Sequence, residues 1–478
     1  MAEQTWKVAI VGGGITGLSA AYHLQEHAVK NGLSLELTVI EASHRLGGKI
    51  QSLEKDGYII DRGADSFFEG HENIADLADE LGIGDQLVRN QKDEVCVIIE
   101  EDWYPVPVDI VLGVPTKMFP FFTSNILSWS GKIRAAADLI LPKSKTEGDQ
   151  PLGEFIRGRF GKEMAENLVE PLVADITASD LNRLSLQATF PEFMESQQHH
   201  NSLIRGMKQH QQELAAPQGQ GERSGTFFTF KKGLETLVTA LEAKLDTVRF
   251  LKNVKVLGIE RARSGMTLRL NNETSLTADH VIFAVPHEKL LPLFEPHGLM
   301  KDLKEMPSTS VATLFMGFDE AQMDIPEIGT DFIVSRNSDL AISSCTWMHR
   351  KWSSTAPAGK LLLRATIGRA GDEAVVDLPD HELESLVMED MKRRLRIEGN
   401  PEFTLVTRWK EGMPQYTVGH RERIEKVRAD LARQFPMAHL AGSSFDGHRI
   451  AHCITQGKSA AATVVEQLLN DQSLEEAQ

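Results

Sequence analysis

The sequence predicts an α/β fold, α+β overall, built as more than one domain. Near the N-terminus an apolar strand, WKVAIV, runs into a glycine-rich turn and then into a helix-like stretch. Later, an apolar run of the buried-strand type, HVIFAVP, and several short runs of alternating apolar and polar residues indicate further strands. With 478 residues, the chain is long enough for two or three domains.

The composition limits the partners that we expect. Lys and Arg number 51 and Asp and Glu number 68, so the formal net charge is −17. Because nucleic acids bind clustered positive charge, none is expected as a partner. No apolar run approaches the roughly 20 residues of a transmembrane helix. A strand within a few residues of the N-terminus leaves no room for a signal peptide. We therefore expect a cytoplasmic location.

The cysteines and histidines predict no metal site. Cys96, Cys345 and Cys453 are far apart and form no C-x-x-C pair, so neither a zinc site nor a disulfide framework is indicated. His199 and His200 are adjacent but have no further ligands nearby in the sequence.

The first glycine turn has the pattern of a dinucleotide-binding site. Gly12, Gly14 and Gly17 match G-x-G-x-x-G between a strand and a helix, which permits a tight turn, close approach of a pyrophosphate and close helix–strand packing. The helix N-terminus offers free N–H groups to phosphates. The next strand, LELTVIE, ends in Glu41, 24 residues after Gly17, where a carboxylate can bind ribose hydroxyls. A glycine turn used only for packing would not explain Glu41.

A second glycine-and-base loop follows Glu41, and its sequence is EASHRLGGKI. The combined pattern GGGITGLSAAYHL…VIEASHRLGGKI…DRGADSF resembles the FAD fold of the amine oxidase and protoporphyrinogen oxidase superfamily. The resemblance implies a Rossmann-like FAD domain of the amine oxidase/p-hydroxybenzoate hydroxylase type, and noncovalent FAD. The residues that the pattern and the resemblance assign to the cofactor are Gly12, Gly13, Gly14, Ile15, Thr16, Gly17, Glu41, Ala42, Arg45, Gly48, Lys49, Gly63, Ala64, Asp65, Ser66, Val254, Trp409, Gly442, Ile450, Ala451 and His452.

The resemblance also divides the chain into three domains. A mixed-sheet substrate-binding domain and a mainly helical insert of the membrane-binding type accompany the FAD domain. The predicted ranges are 1–55, 225–292 and 402–478 for the FAD domain, 56–93, 191–224 and 293–401 for the substrate domain, and 94–190 for the insert.

Both chain ends are predicted to enclose the cofactor. The C-terminal run AHLAGSSFDG predicts a strand that turns at Gly442, and a helix is predicted to begin near Gln456 or Gly457. The family resemblance implies that this helix N-terminus faces the N1–C2=O side of the flavin, where the helix dipole would stabilise a reduced, anionic flavin. The polar stretch 212–225 is predicted to be a loop.

Within the superfamily, LGEFIRGRFG, ENLVEPLVADI, TRWKEGMPQYTVGH and LAGSSFDG resemble the soluble Gram-positive type of porphyrinogen oxidase. The resemblance implies an oxygen-consuming six-electron oxidation of coproporphyrinogen III to coproporphyrin III in haem biosynthesis, with hydrogen peroxide as by-product. Protoporphyrinogen IX is the alternative substrate. A transient contact with a ferrochelatase, a monomer or homodimer, and a peripheral position at the membrane face are also expected.

Two other classes are less favoured. An amine oxidase would need an aromatic cage, and the whole chain has four tyrosines; a carotenoid oxidase belongs to the same alternative. A binding protein on the same fold would lack FAD, which the intact phosphate glycines and Glu41 argue against.

The substrate-pocket candidates are His71, Asp175, Arg336 and Arg364, with Lys351 beside them, and no catalytic base is assigned. A porphyrinogen with four propionates needs a locally basic pocket in so acidic a protein, although each basic residue is also an ordinary surface charge. Asp175 replaces a small residue of the family pattern; it pairs with an arginine or receives a pyrrole N–H.

The last flavin turn also departs from the family pattern. His448, Arg449 and His452 stand there and are expected to alter the flavin potential. Trp409 resembles the family tryptophan beside the flavin, with a buried core tryptophan as the alternative.

Overall fold

A computed structural model of the protein describes residues 4–68, 74–91, 94–107, 109–142, 148–215, 226–324 and 329–476. His71 lies outside these ranges, as does most of the loop predicted at 212–225. The first four residues of that predicted loop are helical instead and continue the helix Leu203–Ala215. Gln, Glu, Leu and Ala are good helix formers, and they extend a helix that has already begun.

The N-terminal strand lies in a five-stranded sheet in which all neighbouring strands are parallel. The predicted strand–turn–helix–strand unit is confirmed, and its helix is Ile15–Asn31. Helices cover both faces of such a sheet, so its strands are almost continuously apolar. In spatial order the strands are Arg249–Lys252, Ser34–Glu41, Thr5–Val11, His280–Phe283 and Ala438–Leu440.

The C-terminal helix Ile450–Glu476 packs along the N-terminal helix Ile15–Asn31. The prediction that it begins near Gln456 or Gly457 is wrong, because Gly457 lies inside the helix. A Cβ on Gly457 would lie 2.4 Å from the Thr16 carbonyl oxygen. This glycine therefore allows two helix backbones to come close, and it does not mark a helix start.

The second large sheet has seven strands and is mixed, as predicted. Asp331–Val334 and Val95–Ile99 pair in parallel, and the other neighbouring strands are antiparallel. One face is apolar and packs on the helix Asp380–Arg394. Residues of the opposite face are polar near the sheet centre, among them Thr313, Thr346 and Arg364. In spatial order the strands are Phe403–Pro414, Ser308–Asp319, Lys360–Ile367, Ile342–Trp347, Asp331–Val334, Val95–Ile99 and Asp102–Pro105.

The helical region has its own apolar core. Two strands of the predicted insert, Val95–Ile99 and Asp102–Pro105, belong to the seven-stranded sheet, and so does Phe403–Pro414 from the range predicted for the FAD domain. Backbone pairing between strands that are far apart in the sequence decides which sheet a strand joins, and the local sequence does not reveal such pairing. The helices of this region are Met118–Thr123, Trp129–Ala136, Leu152–Phe160, Lys162–Met164, Glu170–Thr177, Leu186–Thr189, Pro191–His200 and Leu203–Ala215, with a π-helical turn at Ala165–Val169.

Smaller elements connect these layers, and the predicted strand and helix after residue 225 are confirmed as Phe227–Phe230 and Glu235–Lys244. In the parts of the chain that the structure describes, no helix combines the length and apolar character needed to cross a membrane. The other helices are Ile74–Glu80, His287–Phe294, Met348–Lys351 and His420–Gln434. The other strands are Ser52–Lys55, Tyr58–Asp61, Phe67–Phe68, Leu87–Arg89, Ile110–Val111, Val114–Pro115, Val256–Arg261, Met266–Leu270, Ser275–Ala278, Met323–Asp324 and Arg396–Ile397.

The contact between strand and helix at the first glycine turn yields a stability prediction. A Cβ on Gly17 would lie 1.9 Å from the Gly12 carbonyl oxygen. Because a backbone atom cannot move aside cheaply, Gly17→Ala is expected to lower the free energy of unfolding by about 1–3 kcal/mol. The control is Gly158→Ala, at a helical glycine whose Cβ would meet nothing within 4 Å. This control should be neutral or stabilising by up to about 1 kcal/mol. Urea unfolding measures both; equal effects would contradict the packing argument.

Candidate active site

The first glycine turn forms a cradle at the N-terminus of the helix Ile15–Asn31. Gly12 has a φ of 110°, which a side chain would strain, and its N–H donates to the Ile40 carbonyl oxygen at 2.8 Å. Gly14 is the N-cap residue, and no side chain caps this helix end. A Cβ on Gly14 would find the Gly48 Cα as its nearest described neighbour, at 3.9 Å. The helix N-terminus is therefore open for an anionic group.

Glu41 and the second glycine loop complete this cradle. The two carboxylate oxygens of Glu41 accept N–H groups of Gly13 and Ser43, each at 2.7 Å. The N–H of Gly47 donates to the Gly13 carbonyl oxygen at 2.8 Å, so the two glycine loops are joined directly. Val254 donates its N–H to the Glu41 carbonyl oxygen at 2.9 Å, so it lies at the same side of the cradle as Glu41.

The two basic residues of the second loop hold backbone carbonyl groups. Arg45 donates to the carbonyl oxygens of Leu46 and Gly48 at 2.7 and 2.6 Å, which fixes the loop. Burial lowers the pKa of Arg45. Lys49 donates to the Gly412 carbonyl oxygen, and burial lowers its pKa as well. Both side chains therefore shape the cradle in addition to bringing positive charge to it.

The C-terminal segment meets this cradle from the other side. A Cβ on Gly442, whose φ is 124°, would lie 3.8 Å from the Thr16 Oγ1 atom, and its N–H donates to the Gln456 side chain at 2.9 Å. Ile450, Ala451 and His452 form the first turn of the C-terminal helix. Both chain ends therefore meet at one place, as the sequence pattern predicts.

The turn before the C-terminal helix is held by Tyr416. Its hydroxyl donates to the Ser443 carbonyl oxygen at 2.7 Å and accepts the Gly447 N–H at 2.9 Å. His448 follows, and burial, with the positive charge of Arg449 second, lowers its pKa to about 3. The His448 Nε2 atom is buried and has no hydrogen-bond partner among the described residues. His448 is therefore neutral at physiological pH.

The turn from Arg62 to Ser66 lies on the polar face of the seven-stranded sheet. The Arg62 carbonyl oxygen accepts from Trp409 Nε1 at 3.2 Å and from Thr313 Oγ1 at 3.3 Å. A Cβ on Gly63 would lie 1.9 Å from the Lys49 carbonyl oxygen. Trp409 is half-buried and borders this turn, so it does not belong to a sealed core.

Asp65, at the end of this turn, joins two basic residues from the sheet domain. Its Oδ2 atom lies 3.2 Å from Arg364 Nη1 and 3.7 Å from Lys351 Nζ. Although burial alone would raise the pKa of Asp65, the charges of Arg364 and Lys351 hold it well below its ordinary value. Ser66 donates to the other oxygen at 3.1 Å.

Asp175 and Asp331 add two further carboxylates to this cluster. Asp331 accepts the hydroxyl groups of Thr346 and Thr330 at 2.6 and 2.7 Å. Asp175 is exposed, yet desolvation by the surrounding protein raises its pKa. Lys351 and Arg364 interact electrostatically with Asp65, Asp331 and Asp175. We name this set the pocket charge cluster.

Arg336 stands apart from the pocket charge cluster. It forms an ion pair with Glu170, lies 3.8 Å from Asp372, and donates to the Ala370 carbonyl oxygen at 3.0 Å. These contacts give Arg336 a structural role at the start of the helix Glu170–Thr177. Its assignment to the substrate pocket stays a prediction, as does that of His71.

Sequence reasoning missed Asp331 and Ser344 as members of this site. A signal for Ser344 was present, because polar and apolar residues mix in ISSCTW and KLLLRATI, whereas Asp331 lies outside both runs. Strand residues two apart share a face, so Ser344, Thr346 and Arg364 lie together. Which polar faces meet across a cavity follows from the tertiary structure alone.

The cradle suits a dinucleotide. Such a cofactor would use four features of the site. These are a helix N-terminus without a side-chain cap, open space beside Gly14, an acidic residue at the end of the second strand, and a buried nitrogen of His448 without a hydrogen-bond partner among the described residues. A family model described as flavin containing amine oxidoreductase matches residues 15–465. The fold and the site thus define a flavin-dependent oxidoreductase.

Similar proteins narrow this class. The chain is 44% identical over 470 residues to the coproporphyrinogen III oxidase of Bacillus subtilis, covering 98% of this chain and 100% of that protein. It is 38% identical to that of Staphylococcus aureus, covering 97% and 100%. The chain therefore belongs to the flavin-containing amine oxidoreductases and, within them, groups with the coproporphyrinogen III oxidases.

Solved structures share this fold. A putative protoporphyrinogen oxidase from Exiguobacterium sp. 255-15 superposes with a TM-score of 0.86 at 32% identity, covering 97% of this chain and 99% of that one. A reduced UDP-galactopyranose mutase superposes with a TM-score of 0.71 at 18% identity, covering 97% and 96%, which shows a shared fold alone.

The buried ion pairs of Asp65 yield a stability prediction. Asp65→Asn leaves Arg364 and Lys351 without their shared carboxylate and is expected to cost about 3–5 kcal/mol at neutral pH. Because the folded-state pKa is lowered, this contribution is fully present above the unfolded pKa of about 3.9 and is lost as the pH falls through the folded pKa. The difference between wild type and variant should therefore shrink in acid.

The control for Asp65→Asn is Asp446→Asn, which removes the exposed ion pair with Arg428. This change should cost less than about 1 kcal/mol. Urea unfolding at several pH values measures both variants. Equal costs at neutral pH would show that the pairs of Asp65 do not stabilise the fold.

Proposed function

We propose that the flavin is noncovalent FAD. The joined glycine loops and Glu41 support a dinucleotide over a mononucleotide, since they offer sites for a pyrophosphate and for a second ribose. Cys453 is the cysteine near the last turn, and burial raises the pKa of its thiol. A thiol that keeps its proton is a poor nucleophile, which supports a cofactor without a cysteinyl bond.

The reaction that we propose is the oxidation of coproporphyrinogen III to coproporphyrin III with molecular oxygen as acceptor, a step of haem biosynthesis. The observation that carries this proposal is 44% identity with the Bacillus subtilis coproporphyrinogen III oxidase across 98% of the chain. The alternative substrate, protoporphyrinogen IX, is supported by the putative protoporphyrinogen oxidase structure at 32% identity. The chloroplastic/mitochondrial protoporphyrinogen oxidase 2 of Arabidopsis thaliana is more distant, at 24% identity.

The chain's own residues would bind and orient the macrocycle in this reaction. When bound, the flavin supplies a hydride acceptor. The polar face of the seven-stranded sheet and the pocket charge cluster would line the substrate side. The Arg364 Nε–H is buried without a hydrogen-bond partner among the described residues, so it is a donor that a substrate carboxylate can use.

The test measures porphyrin fluorescence in air with purified protein and either porphyrinogen, and heat-killed protein corrects for autoxidation. We expect a kcat/KM about tenfold or more higher for coproporphyrinogen III, the effect of one charge-assisted hydrogen bond. Heat should release FAD into the supernatant. A yellow protein without activity on either substrate would disprove the reaction but not the cofactor. Equal or reversed preference would favour protoporphyrinogen IX.

We also propose a peripheral position at an anionic membrane surface. Phe119, Trp129, Ile133 and Ile140 are 65–86% exposed. Trp129 and Ile133 lie one turn apart on the helix Trp129–Ala136, and Ile140 follows shortly after that helix ends. Phe119 also lines a cavity of about 730 Å³, whose other walls are apolar residues, Thr116, Asp109 and the basic residues Lys117, Arg205 and Lys208. Exposed aromatic and aliphatic side chains with basic neighbours are typical of surfaces that lie in a bilayer interface.

Vesicle sedimentation tests this surface. Trp129→Ser combined with Ile140→Ser is expected to weaken binding to phosphatidylglycerol-containing vesicles by tenfold or more, because each buried apolar side chain contributes about 1.5–3 kcal/mol. The matched control is Val29→Ser, at an 80% exposed valine of the N-terminal helix, and it should bind as wild type does. If wild type does not sediment with the vesicles, the membrane proposal is wrong.

A further inference from the structure

Asp175 brings an exposed carboxylate to the pocket charge cluster, on the side that should receive a polyanion. Its side chain is exposed, while Lys351 and Arg364 nearby expose 12% and 16% of theirs. Ile176, the next residue, is 39% exposed. This helix end therefore presents a carboxylate and a large apolar side chain to open space. A macrocycle with an apolar ring and polar centre could use both.

The position of Asp175 is fixed by contacts at the C-terminal end of its helix. The helix Glu170–Thr177 follows the π-helical turn Ala165–Val169, a feature that is frequent at functional sites. At its end the Thr177 carbonyl oxygen accepts from Gln415 Nε2 at 3.1 Å. The Ala178 carbonyl oxygen accepts a hydrogen bond from the backbone N–H of Ala370 at 3.0 Å. Asp175 is therefore held in place.

Asp175 is also the surplus carboxylate of the pocket charge cluster. Arg364 and Lys351 both pair with Asp65, and Asp331 supplies a second carboxylate close to them. The two cations are thus balanced before Asp175 is counted. A propionate can still bind the unpaired Nε–H of Arg364, but the carboxylate of Asp175 would repel propionates on its own side of the pocket.

We propose that Asp175 accepts the pyrrole N–H groups of the porphyrinogen and takes up the proton that a pyrrole nitrogen loses in each two-electron step. This inference rests on the proposed function. A porphyrinogen carries N–H donors at its centre and carboxylates at its rim. A carboxylate at this place attracts the centre and repels the rim, so it selects the orientation of the ring as well.

The step balances in atoms and charge. A meso C–H bond would break, and its hydrogen with the bonding electron pair would pass as hydride to the flavin when that cofactor is bound. A pyrrole N–H bond breaks, its proton goes to a carboxylate oxygen of Asp175, and a C=N double bond forms in the macrocycle. Over three such steps, tautomerisation moves one hydrogen from the remaining meso carbon to nitrogen, so the product has the two N–H groups of a porphyrin. Because the Asp175 side chain is exposed, it can pass the proton on to solvent before the next step.

The groups that face Asp175 suit a proton acceptor. Burial is the largest influence on its pKa and raises it, and Asp331 raises it further. The hydrogen bond with Ser344 and the charges of Arg364 and Lys351 act in the opposite direction, and the net shift is upward. A carboxylate with a raised pKa is a stronger base, and it remains ionised above that pKa.

The first test is kinetic and uses the holoenzyme. Asp175→Asn keeps the size of the side chain but removes the proton acceptor, so kcat for coproporphyrinogen III should fall about 100-fold. The acid limb of the kcat profile should disappear, while the flavin content stays that of wild type. The matched control is Glu166→Gln, which changes a carboxylate at an exposed i,i+4 pair with Lys162 in the same helical segment. This control should leave kcat unchanged.

The second test measures binding without turnover. Free-base coproporphyrin III has two N–H groups, whereas its palladium(II) complex has the same propionates but neither an N–H group nor an axial ligand. Wild type should bind the free base about tenfold tighter than the complex, the effect of a hydrogen bond to a charged acceptor. Asp175→Asn should remove this preference, and Glu166→Gln should keep it.

The outcomes separate this inference from the proposed function. If wild type does not oxidise coproporphyrinogen III, the proposed function is wrong. If wild type is active and Asp175→Asn keeps its kcat, or binds both porphyrins more tightly with the preference intact, Asp175 is only a repulsive charge and the inference is overturned. Loss of both kcat and the N–H preference in Asp175→Asn, with flavin retained, supports it.

Discussion

Close contact between backbones at the first glycine turn is the constraint on which the rest of this structure depends. Gly17 brings the first helix against the carbonyl of Gly12, and the carbonyl of Gly13 accepts the N–H of Gly47. Gly457 lets the C-terminal helix approach Thr16 in the same way. Side chains at these positions would separate the two chain ends, and the cradle for a dinucleotide would open.

The second sheet supplies the other half of the site through its two different faces. Its apolar face is covered by the helix Asp380–Arg394, which leaves the polar face to meet the turn Arg62–Ser66 and the end of the helix Glu170–Thr177. Burying charge between these layers is costly unless it is paired. The ion pairs of Asp65 with Arg364 and Lys351 satisfy that requirement. Asp175 is a further carboxylate near these residues, and its side chain is exposed.

Several elements were predictable because their signals are local. The strand before Gly12, the helix after it and the strand ending in Glu41 follow from apolar runs and glycine spacing, and all three are confirmed. The start of the C-terminal helix was predicted wrongly, because Gly457 serves a contact with a distant helix rather than a helix end. Likewise, the strand Val95–Ile99 pairs with a strand more than 200 residues away, which no local pattern reveals.

The sequence by itself predicted the glycine cradle, because a glycine-rich turn and the acidic residue after it act through backbone geometry within one supersecondary unit, and its resemblance to a family predicted a flavin. It also determined which strand residues are polar, including Ser344 and Arg364. Only the tertiary structure decided that Arg336 pairs with Glu170, that Arg364 and Lys351 share Asp65, and that Asp175 lies beside these two cations. Pairing between charges depends on distances across the packed layers, and those distances exist only once the chain has folded.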